Sequence, residues 1–416
     1  MVLDIIIRII VCIGVYMLSS PISSQTYKGR WGENIKWEYD VVSHSITMSG
    51  RGDMLDARVD SWRNGIASIH DFVHSAEHLI IEEGISSVGA GAFSEFANLQ
   101  SVHLPSTIKK IGRSAFSGCI KLRAFEIPDS VVTIDDHAFL YCISLKGIKL
   151  PANLTSVGTG VFYKCIGIKT IRLPSHLQNI SESMFAGCWN LKQAYIPEGI
   201  SIVAHDAFAE SRIREINMPG TITTVINGAF AETPNLNKLT VAADNPFYTS
   251  GSRNDYIVDT RTATLIAGCK RTKVPEGVKT IAPSAFEGCR IKNICLPNSV
   301  TVVGEKAFYG CGKLKTIILG DNVKEVGLHA LKGCNPKLCV KITTRIPPIM
   351  YPCVIEETVP VTPHIEPWQL QDLKEIIFQV TVRNDYEHMT LVVPRGTRQL
   401  YGQAEGWKDF GRIIEE

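Results

Sequence analysis

The chain has 416 residues, of which 45% are hydrophobic and 20% are charged. This composition supplies enough apolar side chains for a large core and excludes a chain that is disordered throughout. With 43 Lys and Arg against 41 Asp and Glu, the net charge is only +2. So small a net charge excludes nucleic-acid or membrane-surface binding held by overall charge, and any electrostatic function must be local.

Residues 1–24 have the pattern of an export signal. An apolar run from Ile5 to Leu18 is interrupted only by Arg8 and is followed by small residues suited to cleavage. Its uninterrupted part starts at Ile9 and is about half of the roughly 20 residues that a membrane helix needs. We therefore interpret residues 1–24 as a signal peptide and expect no transmembrane span. The mature protein is expected at the cell surface or outside the cell, with the periplasm as a further location.

Residues 25–78 are expected to form an N-terminal β-hairpin cap. Apolar and polar residues alternate on both sides of a turn, with Trp37 and Tyr39 facing Ile46 and Met48. Such a hairpin covers the exposed edge that a stack of strands would otherwise present.

From residue 79 to residue 334 the chain repeats with a period of 22 or 23 residues, interrupted once. A large apolar residue, usually preceded by Ala, marks each repeat: Phe93, Phe116, Phe139, Phe162, Phe185, Phe208, Phe230, Phe286, Phe308 and Leu331. Three residues later most repeats carry cysteine: Cys119, Cys142, Cys165, Cys188, Cys289, Cys311 and Cys334. A proline column shares the same period. Three columns with one period indicate a true structural repeat.

One repeat, Leu122 to Phe139, shows how each coil is built. Leu122, Phe125 and Ile127 point to one side of a short strand, which ends at Pro128 because proline cannot donate to a ladder. A single coil cannot bury its own apolar residues, but stacked coils can. The sequence therefore predicts a β-rich leucine-rich-repeat solenoid with short turns or 3-10 segments. We expect about ten coils of 22–23 residues, capped at both ends.

The repeat is interrupted by residues 242–273. Two strand-like runs, 256–258 and 264–267, predict a hairpin island that projects from the coil. The island is either a structural wedge or a functional loop. It separates a first block of repeats, 79–241, from a second block, 274–334.

After the second block, residues 335–390 contain closely spaced prolines that break regular elements, and we interpret them as a Pro-rich insertion. Residues 391–416 are expected to form the C-terminal cap. Within this cap, one face of a short helix is predicted to close the core through Leu400, Ala404, Trp407 and Phe410.

The repeat unit L-x-x-I-x-I-P-x-x-V-x-x-I-G-x-x-A-F-x-x-C resembles the BspA-type leucine-rich repeat of bacterial surface proteins. The flanking segments GENIKWEYDVVSHSITMSGRGDM and LVVPRGTRQLYGQAEGWKDFGRIIEE resemble the amino-terminal and carboxy-terminal caps of Bacteroidota members. The resemblance implies export, surface display, binding of a protein or host surface, and no enzymatic activity.

The cysteines fall into two groups. The seven column cysteines are predicted to be buried free thiols, because stacked parallel side chains lack the facing geometry of a disulfide. Cys269, Cys295, Cys339 and Cys353 lie outside the column, and one disulfide among these four would suit an oxidising compartment. The pairing remains open. Cys295 is expected on the outward side of its strand.

Signals for catalysis are weak. The sequence has neither a G-x-x-x-x-G-K phosphate loop nor a G-x-S-x-G elbow. His70, His74 and His78 would align on a helix face, but a fourth metal ligand is missing. Residues 51–53 spell Arg-Gly-Asp, the tripeptide that integrins recognise, yet the glycine belongs to a turn and we interpret the motif as structural. We therefore predict no catalytic residues, no bound metal and no cofactor.

A basic stripe is the first candidate binding surface. Most repeats carry Lys or Arg five residues before the proline slot, so stacked coils would align these cations. The stripe either keeps the surface soluble or binds an anionic glycan or an acidic protein. Its predicted members are Arg123, Lys146, Lys169, Lys192, Arg214, Lys292 and Lys315.

The second candidate is the outward strand face, two residues before each proline slot. Its predicted members are His103, Glu126, Lys149, Arg172, Tyr195 and Asn217. So mixed a row suits a protein partner better than a polymer of identical units. The sequence therefore predicts a monomeric binding or adhesion protein that recognises a host or extracellular protein, and no nucleic acid, through its solenoid face. The alternative is a structural or glycan-binding envelope component that uses the basic stripe.

Overall fold

The computed structural model describes residues 25–57, 69, 71–351 and 386–416. The predicted signal peptide, His70 and Cys353 lie outside these residues. The chain divides into two compact units, which are described separately. Unit 1 comprises Met1–Leu177 with Gly187–Leu191, and unit 2 comprises Gln178–Ala186 with Lys192–Glu416.

Unit 1 is a β-solenoid whose strands are short because each turn of the coil changes direction after a few residues. Along these strands buried and exposed side chains alternate, as in Ser101–His103. The strands of unit 1 are β1 (Thr26–Trp31), β2 (Ile35–Asp40), β3 (Ser45–Gly50), β4 (Gly52–Asp53), β5 (His78–Ile81), β6 (Ile85–Val88), β7 (Ser101–His103), β8 (Lys110–Ile111), β9 (Ala124–Glu126), β10 (Thr133–Ile134), β11 (Ile148–Lys149), β12 (Ser156–Val157) and β13 (Thr170–Arg172).

Two sheets form the sides of this first solenoid. One has the strand order β1-β2-β3-β5-β7-β9-β11, and the other has the order β12-β10-β8-β6-β4. β1, β2 and β3 pair antiparallel, with Trp37 opposite Met48 and Tyr39 opposite Ile46. From β3 onward the pairing is parallel. The hairpin therefore covers the edge that the first solenoid turn would leave unpaired.

Unit 2 follows the same plan and carries a short α-helix near its C-terminal end. Its elements are β14 (Asn179–Ile180), β15 (Gln193–Tyr195), β16 (Ile202–Val203), β17 (Glu215–Met218), β18 (Thr224–Val225), β19 (Lys238–Val241), β20 (Tyr248–Thr249), β21 (Tyr256–Asp259), β22 (Thr264–Gly268), β23 (Thr280–Ile281), β24 (Asn293–Cys295), β25 (Val302–Val303), β26 (Thr316–Leu319), β27 (Glu325–Val326), β28 (Cys339–Ile342), β29 (Ile349–Met350), β30 (Thr390–Val393), α1 (Arg398–Gln403) and β31 (Arg412–Glu415).

Parallel ladders run through unit 2. β15, β17 and β19 form one, and β14, β16 and β18 form another. Further along, the sheet orders are β20-β21-β22-β23-β25-β27-β29 and β24-β26-β28-β30-β31. The last ladder continues beyond the recognisable repeats, since β28, β30 and β31 pair in parallel without the phenylalanine, cysteine or proline columns. The solenoid class is therefore confirmed, but the chain has about 13 turns rather than ten.

The phenylalanine column forms the centre of each core. In unit 1 the ring of Phe139 lies 5.6 Å from that of Phe116 and 5.5 Å from that of Phe162, both nearly parallel. In unit 2 the rings of Phe286 and Phe308 stack at 5.0 Å. All five of these phenylalanine side chains are fully buried. Stacking of identical residues lets each turn complete the core of the next.

The column cysteines are buried free thiols, as predicted. They also do more than fill space. In six repeats the Sγ lies 3.0–3.2 Å from the carbonyl oxygen of a phenylalanine in the preceding turn and donates to it, as Cys142 does to Phe116. Burial raises the pKa of the Cys289 thiol to about 12, so this thiol is inert as a nucleophile at neutral pH.

Residues 242–273 were expected to project from the coil, but their hairpin is joined to its sheet. β20, β21 and β22 pair antiparallel, and β22 then pairs in parallel with β23, so the hairpin is part of the sheet. Ile257 and Leu265 are fully buried. On the Ala-Phe edge, the Glu232 amide donates to the Glu287 carbonyl at 2.9 Å. Turns on either side of the insertion therefore remain stacked at that edge.

The predicted face of the C-terminal helix is partly wrong. α1 ends at Gln403, and Ala404 is already extended. Because the helix is one and a half turns long, Leu400 is 49% exposed and Tyr401 is the residue that it buries. Trp407 and Phe410 are buried as expected, from the turn that follows the helix.

Candidate ligand-binding surface

In unit 1 the stripe residues Arg123, Lys146 and Lys169 each follow a tight turn. The turn is closed by a hydrogen bond from the amide of the buried Leu or Ile to the carbonyl of the column cysteine, as from Leu122 to Cys119 at 3.1 Å. The next residue is the stripe cation, and all three cations are exposed. Successive turns repeat this geometry, so the cations recur at the strand spacing of roughly 4.8 Å.

In unit 2 the stripe falls into two pairs. The Arg214 amide donates to the Lys192 carbonyl at 3.3 Å, and the Lys315 amide donates to the Lys292 carbonyl at 2.7 Å. Each pair therefore occupies adjacent turns in register. All four side chains are exposed. Asn237 takes the next position after Arg214, because its amide also donates to the Arg214 carbonyl.

The stripe cations are electrostatically unsatisfied. Among the residues that the structure describes, none of the seven lies within 4.0 Å of a carboxylate, whereas cations elsewhere are paired, as Lys110 is with Asp135 at 2.8 Å. Neighbouring like charges at this spacing repel by about 1 kcal/mol in water. A solvated stripe tolerates this repulsion, and a bound anion relieves it.

The outward strand residues also lie where they were predicted. His103, Glu126, Lys149 and Arg172 are exposed on strands of unit 1, between buried neighbours. Glu126 and Lys149 are register partners on β9 and β11. In unit 2, Tyr195 and Asn217 are exposed on β15 and β17.

Sequence reasoning missed an exposed apolar row in unit 1. The residue after each column cysteine is the second residue of the tight turn and faces solvent. In four successive turns it is Ile120, Ile143, Ile166 and Trp189, of which Trp189 is 52% exposed. The signal is present in the sequence, as three isoleucines and a tryptophan in the slot next to the cysteine column.

Other candidate groups do not assemble into a site. Cys269, Cys295 and Cys339 are free thiols, so no disulfide joins these three, and Cys295 is exposed as expected. Within the described residues no three His, Cys, Asp or Glu side chains come together in a way that could hold a metal ion. His78 lies on β5 rather than on a helix and its Nδ1 contacts the Ser101 hydroxyl at 2.8 Å.

The Arg-Gly-Asp tripeptide is part of the first turn of the solenoid. Gly52 and Asp53 form β4, and the Ser86 hydroxyl donates to the Asp53 carboxylate at 2.7 Å. This hydrogen bond is the main cause that lowers the pKa of Asp53.

An open cleft of about 750 Å³ lies beside α1, lined by Arg398, Gln403 and Glu415 among others. Its polar groups do not form a set of acid, base and nucleophile.

The stacked turns, parallel ladders and repeated apolar columns define a leucine-rich-repeat β-solenoid. The model of the BspA type Leucine rich repeat region matches residues 70–165, 110–240 and 266–353, with six copies of the repeat. The chain belongs to this family. No curated protein matches the chain significantly.

Two solved structures share the fold. A leucine rich cell surface protein from Faecalibacterium prausnitzii A2-165 is 17% identical, with 95% of each chain covered and a TM-score of 0.52. The pneumococcal vaccine antigen PcpA is 19% identical, with 95% of this chain and 100% of that chain covered and a TM-score of 0.50. At these identities the likeness concerns the fold. In the described part of the present chain, no helix is long and apolar enough to cross a membrane.

Proposed function

We propose that this chain is an exported binding or adhesion protein without catalytic activity, displayed at the cell surface or released outside the cell. Its partner is a host or extracellular protein, which a monomer recognises through the outward strand face and the basic stripe. The observation that carries the proposal is the stripe itself: exposed cations repeat in register from turn to turn, and no described carboxylate neutralises them.

Three further observations support a binding role. The family includes bacterial surface repeat proteins, and one structural relative is described as a cell surface protein. The apolar pattern of residues 5–18 suits export. The mixed chemistry of the outward row, from Glu126 to Tyr195, suits a protein surface with several kinds of contact.

The test is binding of residues 25–416 to extracellular-matrix proteins and to sulfated glycans, at low and high salt. A variant with Lys146, Lys169, Lys192 and Lys292 changed to Gln removes four stripe cations. Exposed ion pairs contribute roughly 0.2–1 kcal/mol each, so we expect affinity to fall at least about fourfold.

A matched control carries the same charge change away from the stripe, with the exposed residues Lys36, Lys109, Lys279 and Lys324 changed to Gln. Equal losses in the two variants would mean that only net charge matters and would contradict the stripe as a site. Absence of binding to every panel member in both salts would contradict the protein-binding proposal.

The uniform chemistry of the stripe favours one second function, that of a structural or glycan-binding envelope component. Binding to sulfated glycans that collapses at high salt, with no binding to proteins, would support this alternative. Screening is strong because the Debye length shortens to roughly 3 Å at 1 M salt. Protein recognition through the mixed outward row should weaken less.

A further inference from the structure

The apolar row of unit 1 exposes hydrophobic surface in four successive turns. Trp189 is 52% exposed, Ile120 is 39% exposed and Ile143 is 36% exposed. Ile166, in the turn between those of Ile143 and Trp189, is half-buried. Single exposed apolar residues are ordinary, but aligned ones form a continuous patch. The row is aligned because each member occupies the same position of the same tight turn, next to a buried cysteine.

The repeat does not require an apolar residue in this slot. In the other turns of the chain the position after the cysteine slot is taken by polar or small residues or by proline, and repeats of the same length keep the turn. The Leu314 amide donates to the Cys311 carbonyl at 2.9 Å with Gly312 in the slot, and the Leu236 amide donates to the Thr233 carbonyl at 3.0 Å with Pro234 there. The apolar row is therefore a property of unit 1 and not of the fold.

Cations follow this row in every one of its first three turns, while the Glu95 carboxylate lies on the other side of the first turn, beside Gly118. Lys121 follows Ile120 in the same turn, and Arg123, Lys146 and Lys169 lie three residues after Ile120, Ile143 and Ile166, respectively. All four cations are exposed and none is in an ion pair with a described residue. Neither of the two slots that separate the row from these cations holds Asp or Glu. On the side that follows the row in the chain, the surface thus combines an apolar line with positive charge.

The spacing of the row selects the shape of the complementary partner. Turns repeat at roughly 4.8 Å, so the four members span about 14 Å. Four successive turns of an α-helix present side chains over about 16 Å, at 5.4 Å per turn. Residues on one face of an extended strand lie about 6.8 Å apart and would span about 20 Å. A helix laid along the row therefore keeps register with it, whereas a strand does not.

We infer that Ile120, Ile143, Ile166 and Trp189, with the cations beside them, form a docking surface for an acidic amphipathic helix of a partner protein. Apolar residues of the helix at i, i+4, i+7 and i+11 contact the row. Carboxylates on its flank face Arg123, Lys146 and Lys169. This inference rests on the proposed binding function and assigns it a place and a kind of partner.

The probe is a synthetic helix of about 18 residues, with Leu at i, i+4, i+7 and i+11, Glu beside each Leu, and Ala elsewhere. A scrambled peptide of the same composition keeps the charge and loses the apolar face. We expect the patterned peptide to bind residues 25–416 at least about tenfold more tightly than the scrambled one. Equal affinities would overturn the inference, because charge alone would then explain binding.

A variant with Ile143→Asn and Trp189→Asn tests the row. The turn does not depend on a large apolar side chain in this slot, since Ala97 occupies it in unit 1 and the Leu99 amide still donates to the Phe96 carbonyl at 3.0 Å. Loss of two of the four apolar anchors should lower peptide affinity at least about 30-fold. The matched control is Ile226→Asn in unit 2, a residue of similar exposure at 42%, for which we expect less than about a twofold change.

Two further readouts separate folding from binding. Thermal unfolding should be the same for the variant and the native chain. Amide exchange in residues 119–123 should slow when the patterned peptide binds the native chain. Undiminished peptide binding to the variant, or unchanged exchange, would overturn the inference. A last outcome separates this inference from the proposed function. If the native chain and the variant both bind a protein of the extracellular panel, and the patterned peptide does not bind the native chain, this inference falls and the proposed function stands.

Discussion

Ser211 replaces the column cysteine in one repeat, and we predict that it lowers the stability of unit 2. Ser211 takes the cysteine slot in unit 2, is fully buried, and its Oγ has no hydrogen-bond partner among the described residues. In other repeats the thiol donates to a phenylalanine carbonyl of the preceding turn, and by the same register Ser211 faces the Phe185 carbonyl. The C–O bond is shorter than the C–S bond, so the hydroxyl does not reach it.

The expected gain from Ser211→Cys can be worked from these contacts. A buried polar group without a partner costs about 1–3 kcal/mol. A thiol in the same slot reaches the carbonyl and is the more apolar group, so the unfolding free energy of unit 2 should rise by about 1–2 kcal/mol. Ser211→Ala removes the hydroxyl but leaves a small void, and should gain less.

The assay is urea denaturation under reducing conditions, supported by thermal unfolding. A gain of 1 kcal/mol corresponds to roughly 2–4 °C in Tm for a unit of this size. The reciprocal change Cys165→Ser, in unit 1, replaces a donor that lies 3.0 Å from the Phe139 carbonyl and should cost about 1–2 kcal/mol. A loss of stability in Ser211→Cys, together with a neutral Cys165→Ser, would refute the reasoning.

Three other predictions concern the core, the half-buried carboxyl group of Glu287 and the 242–273 hairpin. Phe139→Ala should cost unit 1 about 3–5 kcal/mol in urea unfolding, and Phe139→Leu clearly less, because Leu331 fills the same slot; equal costs would contradict ring stacking as the cause. Burial raises the pKa of Glu287, so its ionised form disfavours folding and stability falls as pH rises above about 4.3; Glu287→Gln should raise Tm at about pH 7.5 but not at about pH 3.5, and equal shifts would contradict this. Arg261 donates to both carboxylate oxygens of Asp259, at 3.0 and 2.6 Å, so Arg261→Ala should speed amide exchange in β21, and adding Asp259→Asn should restore part of the protection; unchanged exchange would speak against this pair as the clasp of the hairpin.

The solenoid and the register of the stripe were predictable because each core slot has a single chemical requirement. Phe139 must stack on its equivalents, and Cys142 must fit beneath the next turn, so the same residue types recur with one period. Once that period is known, the cation directly after each tight turn aligns automatically. The position of the stripe therefore follows from the sequence alone.

Turns without these columns could not be counted. β28, β30 and β31 extend the ladder with ordinary apolar strands, and nothing in Thr390–Val393 marks a repeat.

The left-handed backbone positions could not be predicted from residue type. Lys164 and Glu210 adopt left-handed conformations, with φ of 56° and 55°, in a slot where other turns have glycine, such as Gly187. Because the stacked turns impose this conformation, the residue type does not reveal it.

The binding surface was only half predictable. Outward residues meet no neighbour that constrains them, so a column such as Ile120 and its equivalents varies between units without cost to the core. A charged residue in a repeated slot indicates an exposed position directly from the sequence. An apolar residue does not, because its exposure depends on which side of the tight turn it occupies. That side is known only from the turn itself.

The hydrogen bond from the Glu232 amide to the Glu287 carbonyl has a consequence for how this chain can change in length. The two turns that flank the hairpin stay in contact at their Ala-Phe edge, although the chain between them is much longer than one period. The extra residues of the hairpin are thus accommodated on one side of the coil, while the turns on the Ala-Phe side remain adjacent. Foreign segments introduced at the 251–254 tip, between β20 and β21, should be carried without shifting the repeats that follow, which makes this hairpin a natural site for inserting reporters or new binding loops.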